Sequence, residues 1–334
     1  MKILLVGPEL VERNDQYVEE KSWSYMKAFE RAGLKTAYFA YMLKGRFAFV
    51  EKDKHLKKIS HSVINKRLLR EVRQTRPYIL ALFKAGPIEA DTLWEIRKKT
   101  DTIIINIMHD NPIVMGNFSA IAPCHFYFVK DTYVLECLKR IGFKNIYYLP
   151  QGTDPHLRKP MQLSAEDTKI FGADLMLMGS RYPYRERFIE DLVSFKPVIW
   201  GKEWARTKNP EIIKLYKGRS VWGIDKTKAI CGAVICLNPH HPINDIKGTQ
   251  SRTFDIAACG SFQLAEFKED IKNLFKIGEE IICYQTIDEL KKYIQHYLAH
   301  PDERKEISNA GYKRVLKDHT FDNRVRQILD FVNT

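Results

Sequence analysis

The sequence predicts an α/β fold of two Rossmann-like α/β/α domains facing each other across a cleft, and three observations predict it. Short apolar runs rich in β-branched residues alternate with longer amphipathic stretches, the pattern of βα units that build a parallel sheet. This alternation runs once, pauses at a polar stretch rich in turn residues, and restarts. The length, 334 residues, suits two domains of ordinary size.

In the first half, strands are expected at residues 2–6, 35–40, 78–83, 102–107, 126–129 and 145–149. Helical patterns at 22–32, 54–73, 88–99 and 132–141 lie between them, with Gly33 and Gly142 placed as C-terminal caps. The opening MKILLV carries too short an apolar run for a secretory signal and reads as a buried first strand. Residues 151–160, with two prolines and little to bury, read as a linker. Strands then recur at 173–178, 197–200, 233–237, 261–265 and 281–284, with helices at 184–194, 253–258 and 287–298. The segment 301–332 reads as two helices broken near Asp318-His319-Thr320, Thr320 being an N-cap. The expected domains are 1–155 and 165–318, with a final helix, 319–334, packing back toward the first domain.

Hydrophobic residues at 45% and charged residues at 28%, with 14 Pro and 17 Gly, exclude disordered and fibrous classes. No apolar run approaches the roughly 20 residues of a membrane-spanning helix. The six cysteines sit singly, with no CxxC pair or zinc spacing, and read as reduced thiols of a cytoplasmic protein. The net charge of +13 is concentrated in residues 1–160, which hold 27 basic and 17 acidic residues against 27 and 24 in the remainder. Residues 44–76 carry 11 of these cations: Lys44, Arg46, Lys52, Lys54, Lys57, Lys58, Lys66, Arg67, Arg70, Arg73 and Arg76. Such a surface attracts anions.

The motifs narrow the chemistry. After the first strand comes Gly7-Pro8-Glu9, so the dinucleotide fingerprint is missing, and no P-loop is present. No strand ends in an Asp-x-Asp pair suited to a divalent metal on a pyrophosphate. The densest signal is Gly248-Thr249-Gln250-Ser251-Arg252-Thr253-Phe254-Asp255. Here a hydroxyl-rich loop enters a short helix, whose N–H groups and positive dipole end can meet a phosphate, with Arg252 adding a charged fork. Asp255, one turn in, can accept from ribose hydroxyls. The alternative is an ordinary N-cap with a surface arginine. A second cluster, Met178-Gly179-Ser180-Arg181-Tyr182-Pro183-Tyr184-Arg185-Glu186-Arg187, offers Arg181 and Arg185 to a diphosphate leaving group, while Arg187 reads as solvated. His240 and His241 read as loop residues without metal spacing.

The run SRTFDIAACGSFQLAEF, with GEEIICY, ELKKYIQHYLAHPDER and AGYKRVLKDHTFDNR, resembles the C-terminal domain of the spore-maturation CgeB-like glycosyltransferases. The Gly179–Arg185 stretch and the Trp200-Gly201-Lys202-Glu203-Trp204 turn fit the same pattern. The first half matches more loosely, through its first strand and His109-Asp110-Asn111-Pro112, with Gly7 expected in an acceptor or glycine loop. The resemblance implies a GT-B fold and a hexosyl- or pentosyltransferase using a nucleotide-sugar substrate, with no further cofactor and no metal. It implies donor phosphates near Arg181, Arg185, Thr249, Gln250, Ser251 and Arg252, ribose at Asp255, and the base near Gly201, Lys202 and Trp204. Retention of anomeric configuration is also implied. One departure concerns the Glu-x7-Glu pair of related enzymes, whose second Glu falls at Asp255 and whose first falls at Lys247.

His109 and Asp110 end the fourth strand, as candidates to contact the donor sugar or to deprotonate an acceptor hydroxyl, or as plain turn residues before Pro112. If the reaction inverts, Asp110 is the candidate base. The acceptor is a glycan, protein or anionic substrate. The 44–76 stretch is compatible with anionic lipid at a membrane surface, with nucleic acid, or with a solvated face over a core helix. A non-catalytic sugar- or nucleotide-binding scaffold on the same fold is the third alternative.

Overall fold

The computed structural model describes residues 1–8, 12–13, 16–17, 20–41, 54–84, 86–115 and 118–333, with backbone alone for 12–13, 16–17 and 54–57. Lys44, Arg46 and Lys52 of the basic stretch lie outside these residues, as do the side chains of Lys54 and Lys57. The chain divides into two compact units: Met1–Pro150, Ile243–Gly248 and Phe321–Thr334 form unit 1, and Gln151–Pro242 with Thr249–Thr320 form unit 2.

Unit 1 runs β1 (Lys2–Gly7), β2 (Glu12–Arg13), β3 (Gln16–Tyr17), α1 (Glu20–Arg31), β4 (Lys35–Ala40), α2 (Lys54–Thr75), β5 (Ile79–Phe83), α3 (Ala90–Lys99), β6 (Ile103–Met108), α4 (Pro112–Met115), β7 (Phe126–Val129), α5 (Thr132–Arg140) and β8 (Ile146–Tyr148). Strands β2 and β3 pair antiparallel; the others form a parallel sheet in the order β4, β1, β5, β6, β7, β8. Both faces of this sheet are covered, which is why its strands read as continuous apolar runs. Leu4, Val6, Leu80 and Ile104 share a core with Ile64, Leu68 and Val72 of α2. Alternate residues Ile3, Leu5, Ile105 and Ile107 share the other with Tyr25, Ala28 and Phe29 of α1. Gly33 at φ +85° and Gly142 at φ +105° stand just past α1 and α5, in the left-handed region that caps a helix.

Unit 2 follows with α6 (Ala165–Phe171), β9 (Ala173–Met178), α7 (Pro183–Glu190), β10 (Val198–Trp200), α8 (Pro210–Leu215), α9 (Gly223–Cys231), β11 (Ala233–Asn238), α10 (Ser251–Ala258), β12 (Gln263–Glu266), α11 (Ile271–Leu274), β13 (Ile282–Tyr284), α12 (Ile287–Ala299) and α13 (Pro301–Asp318). Its sheet is parallel, in the order β10, β9, β11, β12, β13. The closing helix α14 (Phe321–Val332) adds Phe321, Val325 and Ile328 to the α1 side of unit 1.

The expected strands recur in order within a residue or two at each end, and the strands β2 and β3 and the helices α4, α6, α8, α9 and α11 are additional. These helices are short, and α9 starts on a glycine, so none carries much apolar periodicity. The 151–160 stretch corrects the reading of a linker with little to bury: Gln151, Thr153, Asp154 and Arg158 are buried. Within unit 2, Arg158 Nη1 donates to Gly223 O at 3.0 Å and to Thr227 Oγ1 at 3.2 Å. No helix among the described residues is long and apolar enough to cross a membrane.

Helix α13 contains Gly311, where an added Cβ would lie 2.4 Å from the Glu280 carbonyl oxygen. Alanine is favoured over glycine in a helix by about 1 kcal/mol, so Gly311→Ala would stabilise an unobstructed helix. Here the steric term wins. The substitution is expected to destabilise unit 2 by about 1–3 kcal/mol, read as a lower urea midpoint; a raised midpoint would contradict this packing.

Candidate functional site

In unit 2 the candidate residues gather where β9, β10 and β11 end. Gly179, at φ +152°, turns the chain after β9, and a Cβ there would meet Arg185 Nη1 at 2.9 Å and Arg252 Nη1 at 3.0 Å. Gly201 follows β10, and its Cβ would fall 1.9 Å from the Gly179 carbonyl oxygen, so the two loops cross at a distance only glycines permit. The Gly179 carbonyl also accepts Trp204 Nε1–H at 2.8 Å. Trp204 is fully buried in the unit 2 core, which corrects its expected role against a nucleobase: the ring is packing, and its one polar atom has a backbone partner. Next to it, Lys202 is exposed, with its ammonium 5.5 Å from the ring centroid of Trp222.

Arg252 is not the surface arginine of the plainer alternative. It is buried, and its Nε donates to Asn238 Oδ1 at 2.8 Å, its Nη2 to Pro239 O at 2.7 Å, and its Nη1 to Met178 O. One guanidinium thus ties the end of β9 to that of β11. Arg185 is buried too, donating to Ser180 O and to Tyr184 Oη, with its guanidinium over the Tyr182 and Tyr184 rings at 5.4 and 5.3 Å. Arg181 differs: its guanidinium pairs with Glu186 five residues on, so a ligand anion would have to compete with that carboxylate. Arg187 is exposed and paired with Glu190 and Asp191, the solvated residue expected of it.

Helix α10 starts at Ser251 with Gln250 as N-cap, and no side chain caps it. The Gln250 amide instead donates to Pro239 O at 2.9 Å. Thr249 is buried, and its Oγ1 has no hydrogen-bond partner among the described residues. Asp255, one turn in, accepts from Thr153 Oγ1 at 2.6 Å and from Lys226 Nζ at 2.7 Å. Burial pushes its pKa up, but the cations Lys226 and Arg158 outweigh burial and hold it below the ordinary carboxylate value. Sequence reasoning missed Lys226 and Thr153, since one lies in the unmarked α9 and the other in the supposed linker. His240 donates its backbone N–H to Glu266, and His241 packs edge-on against Tyr182 and Tyr184.

In unit 1, Gly7 ends β1, where a Cβ would clash with Tyr38 Oη at 2.3 Å; that hydroxyl donates to Pro8 O at 2.7 Å. His109 and Asp110 follow β6. His109 is buried and stacked on Tyr25 at 5.7 Å and on Phe83 at 6.2 Å. Burial, aided by the positive charges of Lys21 and Lys84, holds its pKa well below 6.5, so the imidazole is neutral at pH 7. For Asp110, burial raises the pKa, but Lys84, whose Nζ lies 2.5 Å from Oδ2, overrides it and the carboxyl falls to about 2. Asp110 also accepts from Asn244 Nδ2 at 3.2 Å. Lys247 faces Glu136 at 3.2 Å. Along α2, Ile64, Leu68 and Val72 are core residues while Ile59 and Val63 are exposed among the cations. Among the described residues, one metal-compatible cluster occurs, all exposed: His296 on α12, His300 between the helices and Glu303 on α13.

Residues 181–330 match a family model described as glycosyl transferase-like. The chain is 29% identical over 201 residues to spore protein CgeB of Bacillus subtilis (strain 168). That alignment covers 55% of this chain and 60% of CgeB, so the matched region spans less than two thirds of the relative's length. Among solved structures, sucrose-phosphate synthase from Thermosynechococcus elongatus is similar over 99% of this chain and 98% of its own, with TM-score 0.69 and 13% identity. Anabaena Alr3699/HepE, solved in complex with UDP and glucose, covers 100% of this chain and 99% of its own, with TM-score 0.68 and 10% identity. At these identities the structural likeness shows the fold, which is GT-B.

The depressed pKa of His109 sets a sign for stability against pH. Below the ordinary value of 6.5, the unfolded chain takes up a proton that the folded imidazole resists, so stability falls as the pH drops through that value. Between about pH 6.5 and pH 5 the loss reaches up to about 2 kcal/mol. Urea midpoints of His109→Gln are expected to fall less steeply over this range than those of the wild type; equal slopes would contradict a neutral buried His109.

Proposed function

We propose that this chain, which carries a glycosyl transferase-like segment in a GT-B fold, transfers a hexosyl or pentosyl group from a nucleoside-diphosphate sugar to an acceptor hydroxyl, without a metal and with retention of configuration. The observation that carries this reading is Thr249, a buried hydroxyl without a hydrogen-bond partner among the described residues, at the entrance of α10. An unsatisfied buried polar group costs about 1–3 kcal/mol, and an anionic oxygen bound there would relieve it. The uncapped first turn of α10 supplies N–H donors and a positive dipole end to the same anion. Complexes of HepE with UDP and with UDP-glucose support a sugar nucleotide as the ligand class.

In this reading Thr249, Ser251 and the backbone entering α10 bind the diphosphate, and Arg185 and Arg252 hold positive potential beside it. Asp255 accepts from the ribose through lone pairs left beside Thr153 and Lys226. The backbone of Gly201 and Lys202, with the exposed Trp222 nearby, receives the base. The C1–O bond of the donor breaks with its electron pair leaving on the diphosphate, where fixed cations stabilise the charge as a divalent metal does in other enzymes. The acceptor oxygen bonds to C1 from the same face, and its proton passes to the departing phosphate oxygen. Retention is favoured over inversion because the candidate base, Asp110, has a pKa of about 2 and accepts protons poorly at neutral pH. His109 stays neutral and can share a hydrogen bond with a sugar hydroxyl.

Calorimetric titration with UDP, GDP, ADP, TDP and CMP in the presence of EDTA tests the reading. One nucleoside diphosphate is expected to bind, and Thr249→Val, which keeps the shape and deletes the donor, is expected to weaken it about ten- to hundredfold. No binding at about millimolar nucleotide, or binding only with added Mg²⁺, would overturn it.

A further inference from the structure

The loop 246–248 ends one residue before Thr249, and a single buried carboxylate grips it. Asp131 caps α5 with Oδ1, which accepts from Tyr133 N at 2.9 Å and Val134 N at 3.3 Å. Its other oxygen, Oδ2, accepts from three successive amides, Ile246 N at 2.8 Å, Lys247 N at 3.0 Å and Gly248 N at 2.8 Å. Three consecutive N–H groups converging on one oxygen form a nest around an anion, here filled by the protein's own carboxylate. Glycine is required at 248, where a Cβ would lie 2.6 Å from Lys130 O and 3.0 Å from Asp131 Cα. Beside the nest, Lys130 and Asp245 form an ion pair with both side chains almost fully buried.

All of these contacts lie within unit 1, while the next residue, Thr249, belongs to unit 2. We propose that Asp131 is a positioning residue for the donor loop: by fixing the backbone of 246–248 it fixes where the Thr249–Arg252 run begins. This rests on the functional reading of that run. It also gives Lys247 a role: its side chain is directed to Glu136, and what the fold uses at this position is the backbone N–H, which any residue but proline supplies.

Asp131→Ser separates the two duties of the carboxylate, because serine is a good N-cap but too short to reach 246–248. Asp131→Asn is the softer variant, retaining one acceptor oxygen. Glu136→Gln is the control, since it removes only the exposed partner of the Lys247 side chain, and such pairs contribute little. Three readouts are taken on the full chain: trypsin cleavage after Lys247, the Kd for the nucleoside diphosphate that the wild type binds, and the urea midpoint. Asp131→Ser is expected to speed that cleavage and weaken the nucleotide by about tenfold each, with Asp131→Asn intermediate and Glu136→Gln unchanged; the urea midpoint of Asp131→Ser falls, because the three N–H groups lose their acceptor, while the chain stays folded without urea. Faster cleavage with unchanged nucleotide affinity would reduce Asp131 to a structural anchor and overturn the positioning role; unchanged cleavage and affinity would overturn both. A wild type that binds no nucleoside diphosphate would sink the functional reading and the positioning role with it, whereas the cleavage arm would still show whether the nest holds the loop.

Discussion

A guanidinium buried at the carboxyl end of a parallel sheet must be met by oxygen acceptors, and the way Arg252 meets this demand organises unit 2. Its partners are Asn238 Oδ1, Pro239 O and Met178 O, the last residues of two neighbouring strands and the residue after one. Because the cation occupies the space after β9, the chain there has room only for glycine. Because Gly179 turns tightly, its carbonyl faces Gly201 and the Trp204 indole. Arg252 also lies in the first turn of α10, so the same contacts fix where that helix begins. Charge, glycine placement and helix position are one constraint expressed three times.

Unit 1 shows the complementary device, a buried carboxylate matched by backbone donors. Asp131 takes five N–H groups, two from the helix it caps and three from a segment that arrives more than a hundred residues later in the chain. One device lies in unit 1 and the other in unit 2. Neither is a salt bridge in the ordinary sense; each is a full charge satisfied largely by neutral dipoles, an arrangement that fixes backbone geometry as well as side chains.

The parallel sheets were legible because strands covered on both faces leave long apolar runs, and α1, α5 and α12 were legible from their apolar stripes and end residues. What sequence periodicity could not show was buried polarity. The 151–160 stretch looked like a linker because its residues are polar, yet Thr153 and Arg158 are interior groups with specific partners. The family resemblance placed Trp204 near a base, and only three-dimensional packing shows that the ring is core. Arg181 and Arg185 looked equivalent in their motif; the structure separates them, since the first has Glu186 as partner and the second has carbonyl and phenol oxygens with aromatic faces. The hydroxyl-rich loop entering α10 was visible from composition alone, whereas Asp131 gave no signal, because an aspartate before a helix is expected to cap it and its second oxygen is invisible in one dimension.

The most direct test of the central claim is to follow a sugar nucleotide by proton NMR in the presence of the protein and EDTA, with the base chosen from the nucleotide that binds. Metal-independent turnover, releasing or transferring the sugar first in the anomeric form it had in the donor, is what the account predicts. A protein that binds the nucleotide but leaves every donor intact, or that releases the opposite anomer, would contradict it.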